Sequence, residues 1–237
     1  MRVLVVGGAG HVGRLVLPAL AERHVVRVLD PKRPPDGPWE HHEADATDPA
    51  GLAVATAGVD AVLHCAMGVT GNAASSFDVN VKSVYLTLRV AHDAGVRHAV
   101  YTSSMSVYRD ITARRLDESD PPDATELYGL TKRLGEEVCR AAVAEWGMSV
   151  NALRLVWPTA DDAWPAWRYR GEEILWRTPD GTPIHGTAGS DVARAALAAL
   201  DHRDGFQAFT ITGDRSAGLW PTEKARRVLG WAPTFGN

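Results

Sequence analysis

The chain has 237 residues, a net charge of −4 and 45% hydrophobic residues, which suits one α/β domain with a small appendage. Charges of both signs are dispersed, so we expect neither nucleic-acid binding nor attachment to a membrane, and the apolar run at the start is too short for a signal or membrane-spanning segment. Two cysteines, Cys65 and Cys139, have no disulfide or zinc pattern, so we expect free thiols, no bound metal and a reducing, cytoplasmic compartment.

Apolar runs and helical periods alternate along the first two thirds of the chain. Strands are predicted at Arg2–Val6, Val25–Leu29, Glu40–Ala44, Ala61–His64, His98–Thr102 and Ser149–Leu155. Helices are predicted between them at His11–Glu22, Pro49–Ala57, Ser75–Ala94 and Leu127–Trp146. Strands rich in β-branched residues that alternate with helices indicate an α/β fold, a Rossmann-like doubly wound parallel sheet.

The pattern becomes irregular after Pro158, and tryptophan becomes frequent. Three further elements are predicted there: a helix over 190–200 capped by Ser190 or Asp191, a strand over 206–212 and a short helix over 221–229. We therefore predict a dinucleotide-binding domain over residues 1–157. Residues 158–237 are predicted to form a small C-terminal substrate lobe interleaved with segments that complete the main sheet. Four tryptophans, Trp157, Trp164, Trp167 and Trp176, suit a wall that stacks on a sugar ring or encloses an apolar substrate, the lobe's own core, or a dimer contact.

A glycine-rich segment, Gly7-Gly8-Ala9-Gly10-His11-Val12-Gly13, follows the first predicted strand. The spacing of Gly7, Gly10 and Gly13 lets the backbone approach a pyrophosphate and lets the next helix pack on the strand. The start of that helix then offers free N–H groups and a partial positive charge to the phosphates. Taken alone, the same segment also suits an ordinary turn.

Asp30 ends the second predicted strand. A carboxylate at this place can accept both ribose hydroxyls of an adenosine and would repel a 2′-phosphate. Lys32 and Arg33 lie close enough to neutralise such a phosphate instead, and a turn residue before Pro31 is a simpler role for Asp30. The sequence therefore favours NAD, with NADP the less favoured cofactor.

Asp45 ends the third apolar run and is followed by Ala46. The ends of parallel strands face the ligand in this fold class, so the two residues are placed to contact adenine. The alternative role for Asp45 is to cap the helix that begins at Pro49.

Tyr128 and Lys132 are four residues apart in a predicted helix, so their side chains share one face. A phenol titrates near about pH 10, and a nearby ammonium favours the phenolate and lowers that pKa. Ser104 follows the strand that begins at His98 and can hold a substrate oxygen near Tyr128. A lone Tyr–Lys pair is more often solvated surface, but together with the glycine segment and Ser104 it predicts acid–base chemistry coupled to a dinucleotide.

These segments together resemble the extended short-chain dehydrogenase/reductase family, the NAD-dependent epimerase/dehydratase group, from residue 1 to about residue 160. Further matching residues are His64-Cys65-Ala66, Asn80 with Val81, the run Thr102 to Tyr108, and Lys224 to Pro233 near the C-terminus. The resemblance implies that Ser104, Tyr128 and Lys132 are catalytic. It also implies a cofactor site made by Gly7, Gly10, His11, Val12, Gly13, Asp30, Asp45, Ala46, Cys65, Ala66, Asn80 and Lys132. For Asn80 the alternative is a hydrogen bond to backbone inside a helix.

The chain departs from this family after the expected catalytic serine. Dehydratases of the group carry Thr-Asp-Glu where this chain has Ser104-Met105-Ser106, so no acid is available there to expel water. Epimerases of the group carry glycine where Arg109 stands, and they are longer in the part that holds a nucleotide-linked sugar. The length is closer to that of the compact uronate dehydrogenases, but those carry Asn-His where Met105 and Ser106 stand.

The candidate substrate-binding residues are Ser104, Ser106, Tyr128, Arg168 and Arg170. A guanidinium suits a carboxylate, although arginines in a polar loop are often only solvated. We expect an NAD(P)-dependent oxidoreductase that acts on a secondary alcohol or ketone of a small sugar, sugar acid or similar polyol, with Tyr128 as acid/base. The alternatives are a sugar epimerase that retains NAD and a non-catalytic dinucleotide sensor. The resemblance also implies a homodimer paired through the helices at 75–94 and 127–146.

Overall fold

The computed structural model describes residues 1–169, 172–215 and 218–235. The strands, in chain order, are β1 (Arg2–Val6), β2 (Val25–Leu29), β3 (Trp39–His42), β4 (Ala61–His64), β5 (His98–Ser104), β6 (Ser149–Leu155), β7 (Pro158–Thr159), β8 (Trp167–Tyr169), β9 (Glu172–Ile174), β10 (Trp176–Arg177), β11 (Pro183–Ile184), β12 (Thr187–Ala188) and β13 (Phe206–Ile211). The helices are α1 (His11–Arg23), α2 (Pro49–Thr56), α3 (Ala73–Phe77), α4 (Ser83–Asp93), α5 (Leu127–Trp146), α6 (Gly189–Asp201) and α7 (Glu223–Leu229).

Seven parallel strands form the central sheet in the order β13-β6-β5-β4-β1-β2-β3. The order reverses direction beside β1, between β1 and β4, which is the arrangement of a doubly wound Rossmann-like sheet. The predicted fold class is therefore confirmed. All seven carboxyl ends lie along one edge, where ligands bind in sheets of this kind.

Alternate residues of β1 show how the sheet is buried on both faces. Val3 and Val5 point to a core shared with α1 and α6, whereas Leu4 and Val6 point to a core shared with α2, α4 and α5. All four are completely buried. Because successive side chains of a strand alternate between faces, a continuous apolar run is what a doubly covered strand requires.

A third core lies beyond the carboxyl edge of the sheet and contains Met105, Val107, Tyr108, Leu116, Val156, Ile184 and Trp220. Trp220 is fully buried, and its indole N–H donates to the carbonyl of Ile111 over 2.9 Å. Trp231 is 1% exposed and belongs to the core beneath α6. These two tryptophans therefore serve packing, and the substrate-facing role of residues 158–237 stays a prediction.

Two predicted elements differ from the structure near the edge of the site. The single helix expected over 75–94 is divided into α3, a π-helical turn at Asp78–Lys82, and α4. The strand that was expected to stop at Thr102 continues to Ser104 as β5. A π-helical turn rotates the residues that follow it around the helix axis. Asn80 lies in this turn, and its side chain makes hydrogen bonds to Gly68 and Thr131.

The predicted cap of the sixth helix was wrong. Ala188 is the N-cap of α6, and Asp191 lies inside the first turn with its side chain 1% exposed. The Asp191 carboxylate accepts hydrogen bonds from the backbone N–H groups of Thr234 at 3.1 Å and Phe235 at 3.2 Å. The carboxylate therefore anchors the chain after α7 instead of capping its own helix.

We expect Asp191→Ala to lower the free energy of unfolding by about 2–4 kcal/mol, because it leaves several N–H groups of the C-terminal segment without their acceptor. Thermal and urea unfolding followed by circular dichroism measure the loss. The matched control is Asp201→Ala in the same helix, whose carboxylate is 54% exposed and lies 3.5 Å from Arg23. An exposed pair of this kind contributes little, so the control should melt with the wild type. Equal melting of both variants would contradict the anchoring role.

Candidate active site

The glycine-rich turn between β1 and α1 fits closely against the end of β4. Gly7 has φ +83°, and a Cβ there would lie 2.4 Å from the backbone N of Ala66. A Cβ on Gly13 would lie 2.5 Å from Cα of Gly8. A Cβ on Gly10 would meet only the Gly7 carbonyl oxygen, at 3.1 Å. Gly7 and Gly13 therefore permit tight packing, and Gly10 leaves room above the start of α1 for a phosphate group.

Asp30 joins this turn to the end of β2. Its Oδ2 accepts the N–H of Ala9 at 3.0 Å, and its Oδ1 accepts the N–H of Lys32 at 2.9 Å. The side chain is only 8% exposed. Each carboxylate oxygen keeps a second lone pair, so Asp30 can hold the turn and still accept ribose hydroxyls. The turn role and the ribose role are therefore compatible.

Asp45 is exposed and does not cap the helix after it. Its Oδ1 accepts the N–H of Thr47 at 2.8 Å, whereas Asp48 is the N-cap of α2 and accepts the N–H of Ala50 at 3.0 Å. The alternative role for Asp45 is thus wrong, and its contact with adenine stays a prediction. His11 lies at the start of α1, and its Nε2 is 2.7 Å from the carbonyl oxygen of Pro158, which joins the glycine-rich turn to the segment after β6.

Three more predicted cofactor residues are small and buried at the strand ends: Ala46, Cys65 and Ala66 are 6%, 7% and 8% exposed. Val12, also predicted, packs against the core on the α1 side. Burial raises the pKa of the Cys65 thiol to about 12, so this cysteine is an unreactive packing residue at neutral pH. Small side chains at these positions keep the edge of the sheet open above β1 and β4.

Asn80 is 1% exposed and lies in the π-helical turn. Its Oδ1 accepts the N–H of Gly68 at 3.0 Å, and its Nδ2 donates to Oγ1 of Thr131 at 3.0 Å. Asn80 therefore ties the loop after β4 to α5, one residue before Lys132. The alternative role of bonding to backbone is present, and direct contact with the cofactor stays a prediction.

Ser104 and Tyr128 meet at the carboxyl end of β5. Ser104 is 8% exposed, and its Oγ accepts the N–H of Ser106 at 3.1 Å. The Ser104 side chain lies beside the phenol of Tyr128, which is half-buried in the first turn of α5. Burial raises the pKa of the Tyr128 phenol, and the nearby Ser104 hydroxyl opposes that rise.

Lys132 lies one helical turn after Tyr128 and is 3% exposed. Its Nζ donates to the carbonyl oxygen of Thr102 at 2.8 Å and lies 5.0 Å from the centre of the Tyr101 ring. Burial lowers the pKa of this lysine from 10.5 to about 8. The expectation that the ammonium lowers the Tyr128 pKa is corrected here: the ammonium is bound to Thr102, and burial of the phenol prevails.

Glu126 and Gly129, which were not predicted from the sequence, set the position of Tyr128. Glu126 is the N-cap of α5, and its carboxylate accepts the N–H groups of Tyr128, at 2.8 Å, and of Gly129. A Cβ on Gly129 would lie 1.9 Å from the carbonyl oxygen of Ser106. Any other residue would push the first turn of α5 away from Ser104. A glycine directly after the tyrosine, inside a strong helical pattern, was the available signal for a close approach.

A cavity of about 350 Å³ adjoins these residues. It is lined mainly by Ser106, Arg109, Asp110, Ile111, Thr125 and Glu126. Asp110 adopts φ +53°, an unusual backbone conformation for a residue other than glycine. The cavity offers a serine, a threonine and groups of both charges, and two of its lining residues, Ser106 and Glu126, lie two residues from Ser104 and from Tyr128 in the chain.

An indole pair lies at the end of β6. Trp157 stacks on Trp176 with ring centres 4.8 Å apart and planes 3° apart, and the Trp157 backbone has φ +37°. Trp157 also meets the edge of buried Trp220 at 5.7 Å. Arg168 belongs to β8, but its side chain and all of Arg170 lie outside the described residues, so carboxylate binding by these arginines stays a prediction.

Residues 3–159 match the model of the NAD dependent epimerase/dehydratase family. The chain belongs to this family. It is 31% identical to L-arabinose 1-dehydrogenase (NAD(P)(+)) from Haloferax volcanii, across 68% of this chain and 69% of that protein. It is 28% identical to uronate dehydrogenase from Pseudomonas putida, across 65% of this chain and 60% of that protein. Several longer relatives are matched over only 46% to 48% of their length.

One solved structure is similar to nearly the whole chain. A short-chain dehydrogenase/reductase superfamily protein from Agrobacterium tumefaciens, with bound NAD, has a TM-score of 0.83 and 26% identity, covering 99% of this chain and 93% of that one. The predicted family, enzyme class and NAD cofactor are confirmed. The residues here fit the cofactor, since Gly10 is exposed at the start of α1 and Asp30 keeps free lone pairs at the end of β2.

Among the described residues, no helix combines the length and apolar character that a bilayer crossing needs. Within the same residues, no group of three His, Cys, Asp or Glu side chains could hold a metal ion.

The buried ammonium of Lys132 predicts a pH-dependent stability. Its folded pKa of about 8 lies below the ordinary 10.5, so between these values the unfolded chain binds a proton that the folded protein does not. Stability contributed by this residue rises with pH across that window, and the ammonium is destabilising below it. We expect Lys132→Met to raise the free energy of unfolding at pH 7 by on the order of 1–3 kcal/mol, with the gain vanishing near pH 10.

Thermal unfolding at pH 7 and pH 10 without added cofactor measures this difference. Lys82→Met is the control, because Lys82 is 58% exposed and pairs with Asp78 at 3.6 Å on the protein surface. A Lys132→Met variant that is destabilised equally at both pH values would contradict the prediction.

Proposed function

We propose that the protein is an NAD-dependent oxidoreductase that acts on a secondary alcohol or ketone of a small sugar, sugar acid or similar polyol. The observation that carries the proposal is that Ser104 and Tyr128 lie side by side at the carboxyl edge of the sheet, with Lys132 one turn further along α5 and bonded to Thr102. The glycine-rich turn and Asp30 lie on β1 and β2 of the same edge. The candidate acid–base groups and the candidate dinucleotide residues thus lie at the same edge of the sheet, which supports the proposal.

The proton in this reaction moves through Tyr128. Its phenolate oxygen accepts the proton of the substrate hydroxyl during oxidation and returns it during reduction. The Ser104 hydroxyl donates a hydrogen bond to the substrate oxygen and keeps it beside Tyr128. When bound, NAD supplies the group that accepts or returns the hydride. Because burial raises the Tyr128 pKa, the rate of oxidation should rise with pH as the phenolate becomes available.

The cavity beside Ser106 and Glu126 supports a small substrate. Its volume, about 350 Å³, is near the lower end of the range for ligand sites. Hydroxyl and charged groups on its wall suit a ring that carries hydroxyls. Met105 and Ser106 provide no acid that would expel water, which supports oxidation–reduction over dehydration. Relatives named for L-arabinose and uronate oxidation support the same class.

Two further features belong to the proposal. Asp30 supports a preference for NAD over NADP, because its carboxylate would repel a 2′-phosphate, while Lys32 and Arg33 remain exposed. A homodimer paired through α4 and α5 is supported by apolar side chains on the outer surface nearby, where Phe77 is 41% and Tyr85 is 47% exposed.

We expect Tyr128→Phe to lower kcat by at least about a thousandfold, because it removes the group that transfers the proton and changes little else. NAD affinity, measured by quenching of tryptophan fluorescence, should stay within about threefold of the wild type, since the cofactor residues are untouched. Tyr85→Phe on α4 is the control and should keep full activity. A Tyr128→Phe enzyme that turns over at a near-native rate would rule out the assigned role.

We also expect turnover of free sugars or sugar acids without a nucleoside diphosphate, because the hydroxyl and charged groups that line the cavity suit a single ring that carries hydroxyls. A panel of free pentoses, hexoses and uronic acids beside their nucleotide-linked forms, followed by NADH absorbance, tests this. Net NADH formation supports a dehydrogenase, whereas isomer formation without NADH supports the epimerase alternative. Activity restricted to nucleotide-linked substrates would show that the cavity is not the whole substrate site.

A further inference from the structure

Glu136 and Arg154 form an ion pair between α5 and β6 that is closed to solvent. Their side chains are 0% and 1% exposed, and Arg154 Nη2 lies 2.8 Å from Oε2 of Glu136, while Arg154 Nε lies 2.9 Å from Oε1. Burying two charges removes both from water, and apolar side chains often replace such a pair without loss of stability. Stability alone therefore does not explain the pair. Glu136 and Arg154 also make hydrogen bonds to Ser103 and Tyr108, and these bonds indicate a second role.

The Glu136 carboxylate also holds Ser103, the residue directly before Ser104. Ser103 Oγ donates to Oε1 of Glu136 over 2.7 Å. Glu136 follows Lys132 by four residues and Tyr128 by eight, so all three lie along one side of α5. Lys132 and Glu136 bond to Thr102 and Ser103 at the end of β5, and Tyr128 lies beside Ser104, the next residue. One carboxylate thus joins the strand that carries Ser104 to the helix that carries Tyr128.

Arg154 extends the connection to the turn after Ser104. Its Nη1 donates to the phenol oxygen of Tyr108, and the Tyr108 hydroxyl donates to the carbonyl oxygens of Asp117 at 2.8 Å and Asp120 at 3.1 Å. Tyr108 directly follows the short turn Met105–Val107. The ion pair therefore fixes three segments relative to one another: the end of β5, the middle of α5, and the loop that walls the cavity.

We propose that Glu136, oriented by Arg154, is a positioning residue that sets the separation of Ser104 and Tyr128 through its hydrogen bond to Ser103. The inference rests on the proposed function, which gives proton transfer to Tyr128. Glu136 and Arg154 are buried away from the cleft, so they act through Ser103 and not on a substrate. Since the nearby Ser104 hydroxyl opposes the rise in the Tyr128 pKa, displacement of Ser104 should raise that pKa further.

Ser103→Ala tests this in a folded protein, because it removes only the hydroxyl and leaves the ion pair intact. The matched control is Thr56→Val, since Thr56 is 1% exposed and donates its hydroxyl to the carbonyl of Leu52 at 2.6 Å, inside α2 and away from the cleft. The chain has five tyrosines, so carbon-13 at Cζ allows each phenol to be titrated by NMR. Tyr128→Phe assigns the Tyr128 signal, and every titration is recorded with NAD present.

We expect the Tyr128 signal of Ser103→Ala to titrate at least about half a pH unit above that of the wild type and of Thr56→Val. On an identified substrate, kcat should fall about tenfold with an unchanged KM for NAD. An unchanged Tyr128 titration in Ser103→Ala overturns the positioning role, whether or not a substrate is known. A wild-type protein that oxidises no sugar or sugar acid counts instead against the proposed function, and the titration still decides the positioning role.

A double replacement, Glu136→Met with Arg154→Leu, separates positioning from stability. It removes both charges and fills their space, so the melting temperature should stay near that of the wild type while the Tyr128 titration shifts as in Ser103→Ala. A stable double variant with the wild-type titration would show that the pair serves packing only. If the double variant unfolds early, the titration of Ser103→Ala decides alone.

Discussion

The close approach of α5 to the end of β5 is the constraint on which the site depends. Two glycines of α5 permit it: a Cβ on Gly129 would lie 1.9 Å from the Ser106 carbonyl oxygen, and one on Gly135 would lie 2.3 Å from the Tyr101 hydroxyl. Glycine inside a helix costs roughly 0.5–1 kcal/mol relative to alanine. The two glycines therefore lower the intrinsic stability of α5, but they allow Lys132 and Glu136 to reach β5.

Along that contact the protein buries groups that water would otherwise solvate. Lys132 bonds to the carbonyl of Thr102, Glu136 bonds to Ser103, and Tyr128 lies beside Ser104. Thr102, Ser103 and Ser104 are consecutive residues at the end of β5. These polar side chains can be buried because the end of β5 supplies hydrogen-bond partners for them. The apolar cores on both faces of the sheet stabilise the positions of α5 and β5.

The segment after β6 is attached to this frame by contacts from several directions. His11 reaches the carbonyl of Pro158, and the N–H of Thr187 reaches the carbonyl of Trp157 at 3.1 Å. Trp157 holds a left-handed backbone conformation between the indoles of Trp176 and Trp220. Backbone strain in a bulky residue is maintained only where its surroundings enforce it, and it occurs often beside binding sites. The segment after β6 is thus linked to the glycine-rich turn through the side chain of His11.

Most of the fold could be predicted from the sequence, because buried parallel strands are continuous apolar runs and the helices between them have strong periods. The bounds of β1, β2, β4, β6 and α5 agree with the predicted ones residue for residue. The glycine spacing, Asp30, Ser104, Tyr128 and Lys132 could be selected as candidates only in combination, because each of them alone also suits an ordinary structural role.

Only the tertiary structure decided which partners these groups have. Nothing local shows that Lys132 bonds to Thr102, that Asp191 anchors Thr234, or that Glu136 meets Arg154, because each partner is far away in sequence or on another element. The rise in the Tyr128 pKa likewise follows from burial, which depends on how the whole chain packs. Sequence spacing determines which face a side chain occupies, whereas desolvation and hydrogen-bond partners are set by distant segments that folding brings into contact.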